Sequence, residues 1–352
     1  MIISQLHTPT TAAPDSSVEA VILDVGHGNS TILRDGARCV IVDAKSDKLL
    51  YQALIDSGIH RIEHLVLSHA DTDHIAGALR LLPNSDFEIG TVWANSDSTK
   101  DSKKWSELLA LLAALADAGV CKVRIGISNA DGNELSLDRI GIEVVHPTLR
   151  DIGHGPGAAG KVRPEITTNG MSVVLQVQID GRPALFLPGD VDAAGFRQIL
   201  SRKQLDAAPV LVYPHHGGHS GSVLEADFAT SLCDTLQPEV VVFSMGRGSY
   251  ENPLREVVEC IRDNFPAIRL ACTQLARRCH PNIPAQRSLA HLAGQPAAGR
   301  ALGSCCAGSI RVRIVADGLE IEPNLSAHRA WVEKLEAPMC IPRGNVPNQR
   351  VQ

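Results

Sequence analysis

The sequence predicts a mixed α/β fold with two β-rich layers inside and helices outside. Three observations carry that expectation. Short apolar runs rich in β-branched residues alternate with amphipathic helical stretches. The same mixed strand–helix order recurs in both halves of the chain, with no solenoid-type repeat. Several of the strand-like runs end directly in a carboxylate or histidine, as a scaffold that aims side chains from strand ends would require.

Taken in order, residues 1–17 are rich in Thr, Ala, Pro and Ser and read as a flexible lead-in. A folded domain is expected over 18–323, with a cysteine-rich part at 272–306, and a C-terminal tail over 324–352. Residues 18–25 read as a buried strand running into Asp24-Val25-Gly26-His27-Gly28-Asn29-Ser30, whose glycines suggest a tight turn. Residues 31–34 and 38–43 form a hairpin around Gly36. A helix over 48–57 and a strand over 60–67 follow, then a strand at 90–94 and a Leu/Ala-rich helix over 102–118. Further strands are expected at 121–125 and 140–146. The Gly- and Pro-rich stretch 147–170 reads as a long surface loop. A hairpin turns at Asp180-Gly181, between 171–179 and 183–187, and runs into Gly189-Asp190. A helix over 193–201, strands at 209–213 and 240–244, a helix over 254–264 and a strand at 268–272 complete the second half. A last hairpin turns at Asp317-Gly318, and one short amphipathic stretch, 327–335, lies in the tail.

Composition narrows the function classes. Hydrophobic residues make up 44% and charged residues 20%, as in ordinary globular proteins. No apolar run approaches membrane-spanning length, and the N-terminus lacks a basic segment followed by an apolar core, so neither a membrane span nor a signal peptide is expected. The nine cysteines are odd in number, and several sit in apolar runs; this favours buried free thiols in a reducing cytoplasm. A net charge of −6 and an aromatic content of 3% argue against a general nucleic-acid binder and against a base-stacking platform.

The most informative stretch is Ser68-His69-Ala70-Asp71-Thr72-Asp73-His74, between a buried strand and a helix. Capping of the helix by Asp73 would explain one residue. It would not explain His69, Asp71 and His74 together, and imidazole and carboxylate are the ligands of borderline and hard divalent ions. Later in the chain, Asp190 stands just past a strand, and His215, His216 and His219 stand among glycines and serines, where core histidines are not found.

With Asp43 at the end of the third strand, these motifs occur in the order seen in the metallo-β-lactamase superfamily. The chain resembles most specifically the hydrolase domain of the bacterial DNA-uptake channel ComEC and its stand-alone relatives, over residues 18–264. They share the Asp24–Ser30 type of opening, Asp at position 71, Gly189-Asp190 and His215-His216-Gly217. The resemblance implies a four-layer αββα sandwich with two divalent metal ions, zinc or manganese, at one sheet edge. It implies His69, Asp71 and Asp190 on the first ion, and Asp73, His74, Asp190 and His215 on the second. Asp73, His216 and Asn252 are the expected catalytic residues. Two departures stand out: Asn169 lies where many members have histidine, and Asn252-Pro253 replaces His-Pro. Asn169 and His219 are therefore candidate metal or substrate residues.

Cys272, Cys279, His280, Cys305 and Cys306 form a candidate structural zinc set, although no CxxC pair is present. The resemblance implies a metal-dependent hydrolase, and most specifically a phosphodiesterase or nuclease using metal-activated hydroxide on DNA, with a protein partner from a multi-gene system. Hydrolysis of a small ester, lactone or thioester, and a partner-binding subunit with a degraded centre, are the alternatives. A nuclease would show a basic stripe around Lys161, Arg163, Arg247, Arg277 and Arg278.

Overall fold

A computed structural model describes residues 17–342 except 98, 158–165, 222–223, 249 and 284–287. The lead-in at 1–16, Lys161 and Arg163 lie outside the described residues. Strands β1 (Val18–Ile22), β2 (Thr31–Asp35) and β3 (Arg38–Val42) pair antiparallel, and β4 (Arg61–Leu67), β5 (Glu88–Ala94) and β6 (Lys122–Ile125) extend the sheet in parallel. The second sheet repeats that plan. There β7 (Ile140–His146), β8 (Val174–Ile179) and β9 (Arg182–Leu187) are antiparallel, while β10 (Val210–Val212), β11 (Val240–Phe243) and β12 (Arg269–Cys272) continue in parallel. The final hairpin, β13 (Ile310–Val315) and β14 (Gly318–Glu322), returns to the first sheet and pairs with β1.

Period-two alternation explains the layers. In β3, Val40 and Val42 face the space between the sheets, while Cys39 and Ile41 face outward under helices. In β11, Val240 and Val242 face inward, and Val241 and Phe243 outward. Both faces are buried, so these strands read as continuous apolar runs. The outer face of the first sheet is covered by α1 (Asp47–Asp56) and α4 (Lys103–Asp117), with the short α2 (Thr72–Ile75) and α3 (Ala78–Leu81) beside them. Beyond the small α5 (Leu149–His154), helices α6 (Ala193–Leu200), α7 (Glu225–Leu236), α8 (Arg255–Asn264) and α9 (Leu325–Val332) bury Phe196, Leu232, Ile261 and Trp331 against the second sheet. The expected αββα sandwich is the architecture found.

Two expectations need correction. The stretch 147–170 is not all loop, because Thr148 and Asp151 form a capping box that starts α5. Nor does the core end at 323. Trp331, Val332, Leu335 and Met339 are buried in the same cluster as α7 and α8, so that part of the expected tail is a packed element of the fold. No described helix is long and apolar enough to cross a membrane.

Candidate metal centre

Strand ends from both sheets converge at one edge of the sandwich. After β4 the chain turns through Ser68–Asp71 into α2. Asp71 holds the N-cap position without a side-chain cap bond, and Asp73 sits in the first turn, so capping does not account for the motif. Asp43, in a left-handed conformation (φ 60°) just past β3, ties the turn down. Its carboxylate accepts from the Ser68 amide (2.8 Å) and hydroxyl (2.9 Å), and it meets His74 Nδ1 at 2.6 Å. That contact leaves His74 Nε2 aimed at Asp190 (3.5 Å). Asp43 is thus a partner that orients a ligand, a role such carboxylates commonly play.

From the second sheet, Gly189 (φ 54°) lets the chain fold sharply past Ser68 and Ser172, and presents Asp190. Asp190 Oδ2 lies 3.8 Å from His69 Nε2, 3.5 Å from His74 Nε2, 3.7 Å from His215 Nδ1 and 3.9 Å from His216 Nε2. One carboxylate oxygen therefore stands among four imidazoles. His215 and His216 both adopt left-handed backbone (φ 52° and 57°), a strain held in place by packing of Gly217 against Phe243 and Pro253. Asp73 Oδ2 lies 3.3 Å from His216 Nε2 and 3.4 Å from His27 Nε2.

Ligand-type atoms assemble into two groups among the described residues: His69, His74 and Asp190, and His27, Asp73 and His216. This division differs from the one implied by the resemblance. His74 stands with His69. His216, expected as a catalytic residue, stands in a ligand group. His27 was passed over because its flanking glycines read only as a turn, yet a histidine between glycines past a strand is the same signal that marked His215–Gly217. Gly28 (φ 131°) allows the close approach, since a Cβ there would come within 2.3 Å of the Asp73 carbonyl. Asp71 and His215 lie at the rim of these groups. Asp71 is 3.9 Å from His69 and paired with Lys100.

Several expected residues do other work. The Asn252 amide donates to the His215 carbonyl (3.2 Å), which supports the histidine loop. Asn169 is half-buried in a 3-10 turn. His219 is exposed and faces Glu225 at 3.3 Å. The candidate zinc set is not assembled: Cys305 faces Asp24, Cys306 faces His328 (3.2 Å), and His280 faces the Asn282 carbonyl. Cys272, Cys279 and Cys306 instead line a small apolar cavity with Cys340 and His328. Of the residues expected to form a basic stripe, Arg247 and Arg278 are engaged locally. Arg247 donates to the carbonyls of Leu275, His280 and Pro281, and Arg278 pairs with Glu251.

The electrostatics suit cations. Burial, with the neighbouring His74, lowers His69 to about 4; burial, then His216 and the Lys45 charge among smaller effects, lowers His27 to about 4. Both imidazoles are therefore neutral near pH 7, with lone pairs available. Burial alone would lower His74, but Asp43 and Asp190 outweigh it and raise its pKa. Burial would raise Asp190 and Asp73, and the surrounding histidines reverse that and hold both carboxyls below their usual range. The buried nitrogens His69 Nε2, His74 Nε2, His215 Nε2, His216 Nδ1 and Nε2, and His27 Nδ1 have no hydrogen-bond partner. Orphaned polar atoms are rare in native interiors. Three of these nitrogens, His69 Nε2, His74 Nε2 and His216 Nε2, face the Asp190 or Asp73 carboxylate at 3.3–3.8 Å, so the donor set fits divalent ions.

Comparison with known proteins agrees. Residues 23–233 match the family description "Metallo-beta-lactamase superfamily". "Competence protein ComA" of Neisseria gonorrhoeae is 24% identical over 274 residues, covering 75% of this chain and 32% of that protein. "ComE operon protein 3" of Bacillus subtilis (strain 168) is 25% identical over 217 residues, 61% of this chain and 24% of that protein. The chain thus spans a third or less of the length of these curated relatives. The metallo-beta-lactamase fold protein YhfI from Bacillus subtilis aligns with a TM-score of 0.45 at 12% identity, covering 73% of this chain and 97% of that one.

Proposed function

The chain belongs to the metallo-β-lactamase superfamily of metal-dependent hydrolases, and from that premise we propose that it is a phosphodiesterase, acting on DNA, with a dinuclear centre of zinc or manganese. The observation that carries the reading is Asp190, whose single oxygen Oδ2 stands among four imidazoles and between two ligand groups. His69, His74 and Asp190 would hold one ion, and His27, Asp73 and His216 the other, with Asp190 shared. Such a pair supplies Lewis acidity to a phosphoryl oxygen and a nucleophile at neutral pH.

The chain's own residues prepare that chemistry. Asp43 keeps its contact with His74 Nδ1, which fixes the ring so that Nε2 points inward. Asp73 and Asp190 stay ionised and offset the positive charge of the bound ions. The Asp71–Asp73 side is the open one, with side chains 31% and 24% exposed against 1% for His69. Lys100, beside Asp71 on that side, would supply a cationic group for an extended phosphodiester, with the bound ions offsetting the carboxylates. The names of the curated relatives, both competence proteins, favour DNA as the substrate. A protein partner that delivers the strand would compensate for the chain's net charge of −6.

The test is metal content together with cleavage. Purified chain is expected to hold two metal ions and to cut linear single- or double-stranded DNA with added manganese or zinc, and Asp73→Ala is expected to abolish the cutting. Two bound ions without cleavage of any phosphodiester would transfer the assignment to small esters. A chain that takes up no metal would end the catalytic reading and leave a partner-binding subunit.

A further inference from the structure

Among the described residues, Tyr250 is the one large side chain that is both exposed, at 61%, and in ring contact with a residue of the ligand groups. Its phenol stacks on His27 with centroids 4.3 Å apart and planes 21° apart. His27 also meets His216, with ring centroids 4.4 Å apart. The placement is fixed from several directions. Gly246 runs so close to the opening loop that a Cβ there would lie 2.4 Å from the His27 amide nitrogen. Ser244 donates to the Gly28 carbonyl (2.7 Å), and Arg247 is pinned by three carbonyls. At the far end, Asn252 holds the His215 loop, and the Leu254 amide donates to the Gly217 carbonyl at 2.8 Å. A phenol that served only to cover His27 would be more stable if it were itself covered, and this one presents its second face to solvent.

We propose that this free face of Tyr250 is a nucleobase platform, which takes the base next to the phosphodiester positioned at the ligand groups. The proposal rests on the phosphodiesterase reading and sharpens it. A base inside a duplex has both faces covered by its neighbours, so a base stacked on Tyr250 comes from a single strand or from a strand end. Lys45, whose stem packs over Gly28, and Lys100, at Asp71, provide cationic groups for neighbouring phosphates. The low aromatic content of the chain is no obstacle, because one rigid ring at the right place serves one base. Stacking of this kind is indifferent to base identity, since every base has a π-face.

The experiment compares two substrates that share a leaving group, thymidine 5′-(p-nitrophenyl phosphate) and methyl p-nitrophenyl phosphate, on metal-loaded wild type, Tyr250→Phe, Tyr250→Leu and Tyr250→Ala. Tyr250→Ala and Tyr250→Leu are expected to raise KM for the nucleoside diester about tenfold more than for the methyl diester. Tyr250→Phe is expected to track the wild type, and all four proteins are expected to hold the same number of metal ions. Equal losses on both substrates, or a loss of metal that parallels the loss of activity, would show that Tyr250 only supports His27 and would overturn the proposal. So would no loss at all. If the wild type hydrolyses neither diester, the phosphodiesterase reading fails on its own. The platform is then decided by fluorescence quenching of a 2-aminopurine mononucleotide: quenching lost in Tyr250→Ala sustains it, and absence of quenching in the wild type ends it.

Discussion

Two regions of this molecule are rich in metal-binding residue types, and only one is built as a centre. At the sheet edge, histidines and carboxylates alternate within reach of each other, so each buried charge has an opposite partner. In the cavity under β12 and α9, Cys272, Cys279, Cys306 and Cys340 sit together among apolar side chains, with His328 against Cys306. Burial, reinforced by the neighbouring thiols, pushes Cys272 far above the usual thiol range, and burial pushes Cys340 up to about 12. Among the described residues, no three of these sulfurs come together as a ligand group in the way the sheet-edge histidines and carboxylates do. Residue type is therefore a weak predictor of a metal site, and mutual charge compensation on rigid turns is a strong one.

The largest effect should come from the shared carboxylate. Asp190→Ala is expected to empty both ligand groups in metal analysis and to lower kcat/KM by about a thousandfold, the loss of several kcal/mol of charge stabilisation. Cys306→Ser is its counterpart and should leave metals per chain unchanged; a loss of metal there would dissolve the contrast. Next comes Asp43→Ala, which removes the partner of His74 Nδ1 and should weaken metal affinity roughly 10- to 100-fold by competition with a chelator. In the thiol cavity, Cys272→Ser should cost about 1–3 kcal/mol in denaturant unfolding by placing a hydroxyl among apolar neighbours, with turnover unaffected.

A further effect is a pH slope to which groups away from the centre contribute. Burial lowers His146 and His328 to about 4, with smaller opposing contributions at His146 from the Gly170 carbonyl and Asp151. Their native forms are neutral, while the unfolded chain takes up protons near 6.5. Their contribution is thus fully present above about 6.5 and is lost as pH falls toward about 4. Unfolding midpoints of metal-free protein should drop over that window, and His146→Gln should flatten the drop.

The fold was largely legible because its strands are period-two apolar runs and its hairpins carry Asp180-Gly181 and Asp317-Gly318 turns. Helix α7 is absent from the expected elements although its sequence carries the pattern: Phe228, Ala229, Leu232, Cys233 and Leu236 recur at helical spacing and form its buried face. The ligand residues were legible where several fall in one turn, as at His69–His74. The grouping was not, because it depends on which strand ends meet across the sandwich. His27 and Asp73 come together only because Gly28 permits backbone contact between loops 45 residues apart, and no local pattern encodes that. Cys305 illustrates the converse: it looked like a ligand and instead contacts Asp24, the buried anchor of the opening loop.

His27, His69, Asp73 and His74 hang from the first sheet and Asp190 and His216 from the second, so a bound ion would rivet the two halves of the sandwich together. Neither half carries a full coordination set. Occupancy is then a mechanical property as well as a chemical one: a free metal concentration a hundredfold above Kd adds about 2.7 kcal/mol to the joined state. Chelation should open that edge to protease before the rest of the fold gives way, and metal supply would set how long the folded chain survives.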